Sequence, residues 1–443
     1  MTSELPPADA IVIGGGLAGL TVASFLGRQG HRVTVFEKAP TLGGRAATQV
    51  HDGYAFNVGP HALYTGGAAG AILKDLGVRY RSGTPRAVFG LRGGAFYPLP
   101  VSPLALVSGG LLGGGGTVGL LRTCRTLVQS DPRTLGHTTV QQWLDKTIQH
   151  PSVRQLVTAL ARTFLYSTAL DIASADVFVD KLRRSLTHPI HYVDGGWQTL
   201  VDGVRQAAAG AGARIATGVR VQSVEQQDGH VTGVRARDGK FVPASAVILA
   251  TTPEEAVKLV DGGAGASLRR VVDGLVPAQL ACLDVALRCL PDGRRPVVQD
   301  LERPRFATAQ SRYARVAPAG GALIHVFKQL DPRHPSDARA DEAELEELLD
   351  VAQPGWRGLV VRRVFLPHMD GATALPLAGS GGFAGRPGPR VPGLDGLYLA
   401  GDWVGPDGYL VDASLASARA AARLVAAQVD VRGHAHAGLS VAA

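Results

Sequence analysis

The sequence predicts an α/β protein, a doubly wound parallel sheet interrupted by a second domain of mixed sheet and helix. Three observations carry that expectation. Residues 10–13 form an apolar, mostly β-branched run that feeds directly into a glycine turn. A second buried-type run, residues 246–250, lies far downstream, with helical and alternating segments between the two. A chain of 443 residues with 45% hydrophobic content is too large for one core and sufficient for two.

The opening stretch reads as one unit. Residues 10–13 fit a strand buried on both faces, leading into Gly14-x-Gly16-x-x-Gly19 with Leu17 and Ala18 inside the turn. Gly14 permits the tight turn, Gly16 lets a pyrophosphate touch backbone, and Gly19 lets a helix over 17–30 pack closely, its N-terminus aimed at the phosphates. A strand over 31–36 then ends on Glu37 and Lys38, about 20 residues on, where a carboxylate takes ribose hydroxyls. Strand, turn, helix, strand and acid in this order predict a bound dinucleotide. NAD and FAD satisfy it equally at this point.

Composition excludes several classes. Cys124, Cys282 and Cys289 form no even set and no C-x-x-C, so neither a disulfide framework nor a metal site is expected. The net charge of +8 is scattered without a basic run, which argues against nucleic acid. No basic region precedes an apolar segment in residues 1–9, so a cytoplasmic location is expected, with peripheral contact at a membrane left open.

The residues after Glu37 separate the two dinucleotides. Gly43-Gly44-Arg45 follows closely, and Gly53-Tyr54-Ala55-Phe56-Asn57-Val58-Gly59-Pro60-His61 comes next. Near the C-terminus Gly396-Leu397-Tyr398-Leu399-Ala400-Gly401-Asp402 precedes Val411-Asp412-Ala413-Ser414-Leu415-Ala416-Ser417-Ala418. On these motifs the chain resembles the flavin amine oxidase and phytoene desaturase superfamily. The resemblance spans nearly the whole chain and is weak over 80–190 and 255–385. It implies a Rossmann-type FAD domain with FAD as cofactor. It further implies that the loop at Gly59, Pro60 and His61 approaches the flavin, and that Val221 meets the adenine through its backbone. Asp402 is expected to accept from a ribityl hydroxyl, and the helix opening at Asp412 and Ala413 to point at the pyrimidine side of the ring. Asn57 stands where the family usually has an acid. Ala413-Ser414 and Ala418 replace a Gly-Ala pair and a glycine.

Between the motifs the elements follow in order. Residues 69–77 read as a short helix, and 86–97 as a hairpin closed by Gly93-Gly94 that begins the second domain. The charge-free span 93–121, broken by Pro98, Pro100 and Pro103, reads as a buried loop and helix start, with a membrane-facing or substrate-entry element as the alternative. Gly114-x-Gly116-x-x-Gly119 lacks a preceding strand and predicts no second nucleotide site. Residues 121–190 read as helical, with 140–147 and 151–165 the clearest segments. After Trp197 come an amphipathic helix over 198–211 and strands at 213–215, 219–225 and 246–250. Strands at 279–287, 322–327 and 359–365 and an acidic helix over 342–351 extend the second domain. The expected division is 1–80, 191–255 and 385–443 for the FAD domain, and 81–190 and 256–384 for the substrate domain.

Two residues are candidates for chemistry. His61 is placed by resemblance beside the flavin as acid, base or substrate contact, although a histidine in a Gly-Pro loop also serves as a structural hydrogen bonder. Lys328, at a strand end, resembles the lysine some amine oxidases hold near the flavin, but no motif surrounds it, and a solvated strand end beside Gln329 and Asp331 is the simpler reading. The activity implied first is dehydrogenation or desaturation of a lipophilic small molecule, with oxygen, a quinone or a partner protein reoxidising the flavin. Amine or protoporphyrinogen-like oxidation on the same fold is the alternative, and a structural or non-redox flavin a third. An amine oxidase needs an aromatic cage or an arginine clamp, and nothing in the spacing gathers Arg162, Arg183 and Tyr409 into one.

Overall fold

Five parallel strands, Ala8–Ile13, Val33–Glu37, Arg214–Thr217, Phe241–Leu249 and Leu397–Leu399, form the half of the molecule to which the glycine turn belongs. The computed structural model describes residues 8–99, 110–260 and 262–440. Strand Phe241–Leu249 pairs with Ala8–Ile13 along one edge and divides its other edge between two partners. Its second half pairs in parallel with Leu397–Leu399, and its first half pairs antiparallel with His230–Ala236, which leads on to Val221–Gln227. Ala10, Val12, Ala246 and Ile248 turn one face toward helices Leu17–Arg28 and Val411–Ser440, while Ile11, Ile13 and Val247 turn the other toward the antiparallel layer and Trp403. Both faces are therefore covered, as the unbroken apolar runs require. At Gly19 an added Cβ would lie 2.0 Å from the Gly14 carbonyl oxygen, so helix and turn sit as close as the sequence predicts. Helix Leu17–Arg28 stops two residues short of Gly30, whose φ of +85° cannot continue it.

A second seven-stranded sheet runs in the spatial order Val360–Ala372, Ala278–Leu287, Ala322–Gln329, Arg305–Ala309, Val297–Asp300, Phe89–Arg92 and Ala95–Pro98. It is antiparallel except where the hairpin joins Val297–Asp300 in parallel. Alternation assigns the faces. Ala281, Leu283 and Val285 pack under helix Ala338–Ala352, whose first turn Asp337 caps by accepting from the Arg339 and Ala340 amides, while Leu280 and Cys282 face the rest of the molecule. Strands Val297–Asp300 and Arg305–Ala309 were not anticipated from sequence, because each is short and carries polar or charged residues such as Gln299 and Arg305.

Helices Gly113–Gln129, Val140–Thr147, Pro151–Leu165 and Ala175–Ser185 make a layer on this second sheet. Val153, Leu156, Val157 and Ala161 form the buried stripe that helical spacing predicts. Gly114, Gly116 and Gly119 all lie inside helix Gly113–Gln129, so they form no phosphate-binding turn. Residues 100–109 of the charge-free span lie outside the described residues.

Candidate active site

A cavity of ≈ 470 Å³ runs from the glycine turn to the second sheet. At its first end the backbone does most of the work. Gly14 has φ +113°, and a Cβ there would lie 2.4 Å from the Ala250 carbonyl, whereas one on Gly16 would find its nearest atom at 3.7 Å. Gly16 stands at the N-cap of helix Leu17–Arg28 and makes no side-chain cap, so the first-turn amides lack side-chain partners and line the cavity wall. That is the donor set an anionic pyrophosphate requires. Leu17, Ala18, Lys38, Gly43, Gly44 and Val221 line the same end.

Glu37 also lines it, and its carboxylate already accepts from the Gly15 amide at 2.7 Å and the Ala39 amide at 2.8 Å. A carboxylate has about four lone-pair sites, so two remain for ribose hydroxyls. The turn, the uncapped helix end and Glu37 together fit a dinucleotide.

Asp402 departs from the contact that the resemblance implies. Its carboxylate is 3% exposed and meets four protein donors: Arg45 Nη1 at 3.0 Å and Nη2 at 2.5 Å, the Thr373 amide at 2.8 Å and Thr373 Oγ1 at 2.7 Å. No lone-pair site is left over for a ribityl hydroxyl in this arrangement. Burial alone would raise the Asp402 pKa, and the Arg45 guanidinium with the Thr373 donors overcomes it, leaving the carboxyl below its ordinary range. Arg45, Gly401 and Asp402 line the middle of the cavity, where this ion pair fixes the Gly-Gly-Arg turn to the C-terminal motif.

The far end is apolar. Tyr166, Trp197, Leu280, Met369 and Leu410 line it together with Pro60 and His61. His61 Nδ1 lies 3.0 Å from the Gly59 carbonyl oxygen, and its ring stands edge-on to Trp197 with centroids 4.7 Å apart. Burial lowers the His61 pKa to about 4, so the imidazole is neutral at physiological pH. With Nδ1–H assigned as donor to Gly59, Nε2 is the ring's acceptor. Gly59 itself is not a wall residue. It adopts φ +76°, and a Cβ there would lie 2.1 Å from the Met369 sulfur, so its smallness is what seats the His61 loop on the second sheet.

Two bulky residues of the far wall, Tyr166 and Leu410, hold left-handed backbone, with φ +56° and +59°. The other non-glycine residues of that kind among the described residues, Asp52 and Asp228, each precede a glycine in a hairpin turn. Tyr409 Oη donates to the Leu165 carbonyl at 2.9 Å and so ties the two strained positions together.

Besides Gly59 and Gly19, which pack behind the wall, three expected site residues do not line the cavity. Lys328 lies outside the cavity, with Nζ 2.8 Å from Asp341 and 2.7 Å from Glu344. Burial disfavours its ammonium, and the two carboxylates overcome that and raise its pKa, so it is a structural cation and not a site base. Helix phase removes Asp412 and Ala413: Val411 and Ser414, one turn apart, line the cavity, and Asp412 points away to accept from the Ala69 amide at 2.8 Å. Sequence reasoning missed Tyr166, Leu280 and Met369, which converge from a helix end and two strands and carry no local signature.

Residues 17–426 match the family described as flavin containing amine oxidoreductase. A 4,4'-diaponeurosporene oxygenase of Staphylococcus aureus is 25% identical over 289 residues, covering 54% of each chain. A 4,4'-diapophytoene desaturase (4,4'-diaponeurosporene-forming) of Staphylococcus haemolyticus is 36% identical over 69 residues, 16% of this chain and 14% of that one. The chain thus spans about half the length, or less, of these curated relatives. Among solved structures, an oxidoreductase from Methanosarcina mazei superposes with a TM-score of 0.75 at 21% identity, covering 93% of this chain and 99% of that chain, which shows a shared fold.

Proposed function

The chain belongs to the flavin-containing amine oxidoreductase family and is an FAD-dependent oxidoreductase, and from that premise we propose that it dehydrogenates or desaturates a lipophilic small molecule by hydride transfer to flavin N5. The observation that carries this reading is the far wall of Tyr166, Trp197, Leu280, Met369 and Leu410, which offers apolar surface and no arginine clamp. Its one carboxylate, Asp370, is exposed at the rim and is held by Gln279 Nε2 at 3.2 Å. The carotenoid-modifying relatives agree with such a substrate.

When bound, FAD supplies the hydride acceptor. The protein has to hold the reacting C–H close, exclude water and receive a proton. Tyr166 and Trp197 orient an apolar chain, and the buried sheet face behind Leu280 and Met369 keeps water out. His61, neutral and anchored through Nδ1, presents Nε2 as a weak base that accepts the accompanying proton and releases it readily. Residues 1–80, 191–255 and 385–443 serve as the FAD domain in this reading, and 81–190 and 256–384 as the substrate domain. Oxygen, a quinone or a partner protein would serve as the terminal electron acceptor for bound FAD. No helix among the described residues is long and apolar enough to cross a membrane. Helix Gly113–Gln129 nevertheless exposes Val118, Leu121 and Val128 beside Arg122 and Arg125, which supports peripheral contact with an anionic lipid surface.

The test is anaerobic mixing of the yellow holoprotein with polyenes and other apolar compounds, and separately with simple amines and amino acids, following flavin absorbance. The first group should bleach the flavin and the second should not. Rapid bleaching by amines alone would replace this reading with amine oxidation.

A further inference from the structure

Five tyrosines are buried among the described residues, and four of them set the hydroxyl against a protein partner. Tyr54 donates to the Leu287 carbonyl at 2.8 Å, Tyr409 to the Leu165 carbonyl at 2.9 Å and Tyr398 to Gln428, while Tyr192 accepts from Thr308 at 3.2 Å. The fifth, Tyr166, is 7% exposed, and its Oη has no hydrogen-bond partner among the described residues. A buried tyrosine hydroxyl usually has one. This oxygen is not sealed in the packing as the orphaned Nε1 of Trp197 is, so the surface left to it opens on the cavity that Tyr166 lines.

The ring is held in place from several sides. Tyr166 caps helix Pro151–Leu165 in left-handed backbone, its ring meets Phe327 edge-on with centroids 5.8 Å apart, and a Cβ on Gly371 would lie 3.1 Å from its Cβ and Cγ, so glycine there gives it room. Burial raises the phenol pKa, so the hydroxyl stays protonated and is a donor. Leu280 and Leu410 on the same wall offer it no side-chain acceptor. A donor facing an apolar chamber is left unpaired unless the ligand brings the acceptor. We propose that Tyr166 Oη is a specificity-determining donor that selects, among lipophilic ligands, those carrying a carbonyl or hydroxyl oxygen. The inference rests on the lipophilic-substrate reading and deepens it, since it adds one fixed polar contact to the apolar wall.

The experiment compares 2-octanone with 2-methyl-1-octene, which has the same skeleton with a methylene in place of the carbonyl oxygen. Calorimetric titration of FAD-loaded wild type and Tyr166→Phe with each probe gives the dissociation constants, and the ratio of the alkene constant to the ketone constant isolates the contact with the oxygen. That ratio should fall about fivefold or more in the variant, with the alkene constant unchanged. An unchanged ratio, or no ketone binding by wild type, would overturn the proposal. So would a shifted flavin absorption band in the ligand-free variant, which would assign the hydroxyl to the cofactor. A thermal midpoint well below wild type, or failure to fold, would assign it to a partner within the protein and overturn the proposal equally. Neither probe has to be oxidised, so polyenes that fail to bleach the flavin would strike the desaturation reading and leave the ratio to decide the Tyr166 contact.

Discussion

The two halves of the molecule build their parts of the site by different means. At the glycine turn, function resides in backbone: Gly14 at φ +113°, an uncapped helix end and Glu37 held by two amides. At the second sheet it resides in side chains from distant segments, and buried polar groups are satisfied in pairs, such as Asp300 with Arg305 at 2.7 Å and the hydrogen bond between Asp284 and His325 Nδ1 at 2.7 Å. Backbone geometry leaves little freedom, so the first half is bound to one ligand class. Side chains of the second half can be exchanged without rebuilding the backbone that holds them, so its ligand is the less constrained of the two.

The sharpest way to break this contrast is Asp402→Ala, because Asp402 is where the two halves are bolted together through Arg45 and Thr373. Removing one partner of a buried pair costs about 3–5 kcal/mol, toward the lower end here since Arg45 is 46% exposed. Flavin should be lost on purification and the denaturant midpoint should fall; normal flavin occupancy would mean that the halves hold without this bolt. Next in size is an acid limb. The folded-state pKa of His61 is about 4, against about 6.5 in an unfolded chain, so the unfolded state binds more protons between those values. Stability should be complete above pH 6.5 and lost by up to about 3 kcal/mol as pH falls through 4. His61→Gln should flatten that slope, and an unchanged slope would assign it to other groups. Glu37→Ala, which removes two acceptor sites for ribose, should lower FAD affinity about tenfold or more by titration of apoprotein. The smallest effect belongs to Lys328→Met. Anaerobic flavin reduction should match wild type, with stability lower by about 1–2 kcal/mol as Asp341 loses its partner. A collapse in reduction rate would return Lys328 to the site.

The same contrast explains what could be read from residues alone. Gly14, Gly16, Glu37 and Arg45 act through local geometry, so their order along the chain already states where they lie. Lys328 misled because a strand end looks alike from either face: Phe327 and Gln329 alternate toward the cavity side, and residue 328 turns to Asp341 and Glu344. Asp412 misled by one helical position, since a rotation of about 100° per residue separates it from Val411. Tyr166, Leu280 and Met369 were invisible because what unites them is the packing of a helix end against two antiparallel strands.

The bond from Tyr409 to the Leu165 carbonyl joins residues 244 apart in the chain. A contact of that separation must wait until both halves have ordered, since closing so long a loop gains nothing before each end is fixed. The nucleotide end obeys the same rule, since Ala10 pairs with Ala246 and Arg45 meets Asp402 across 357 residues, so the two ends of the cavity close together and neither is finished before the C-terminal motif has docked.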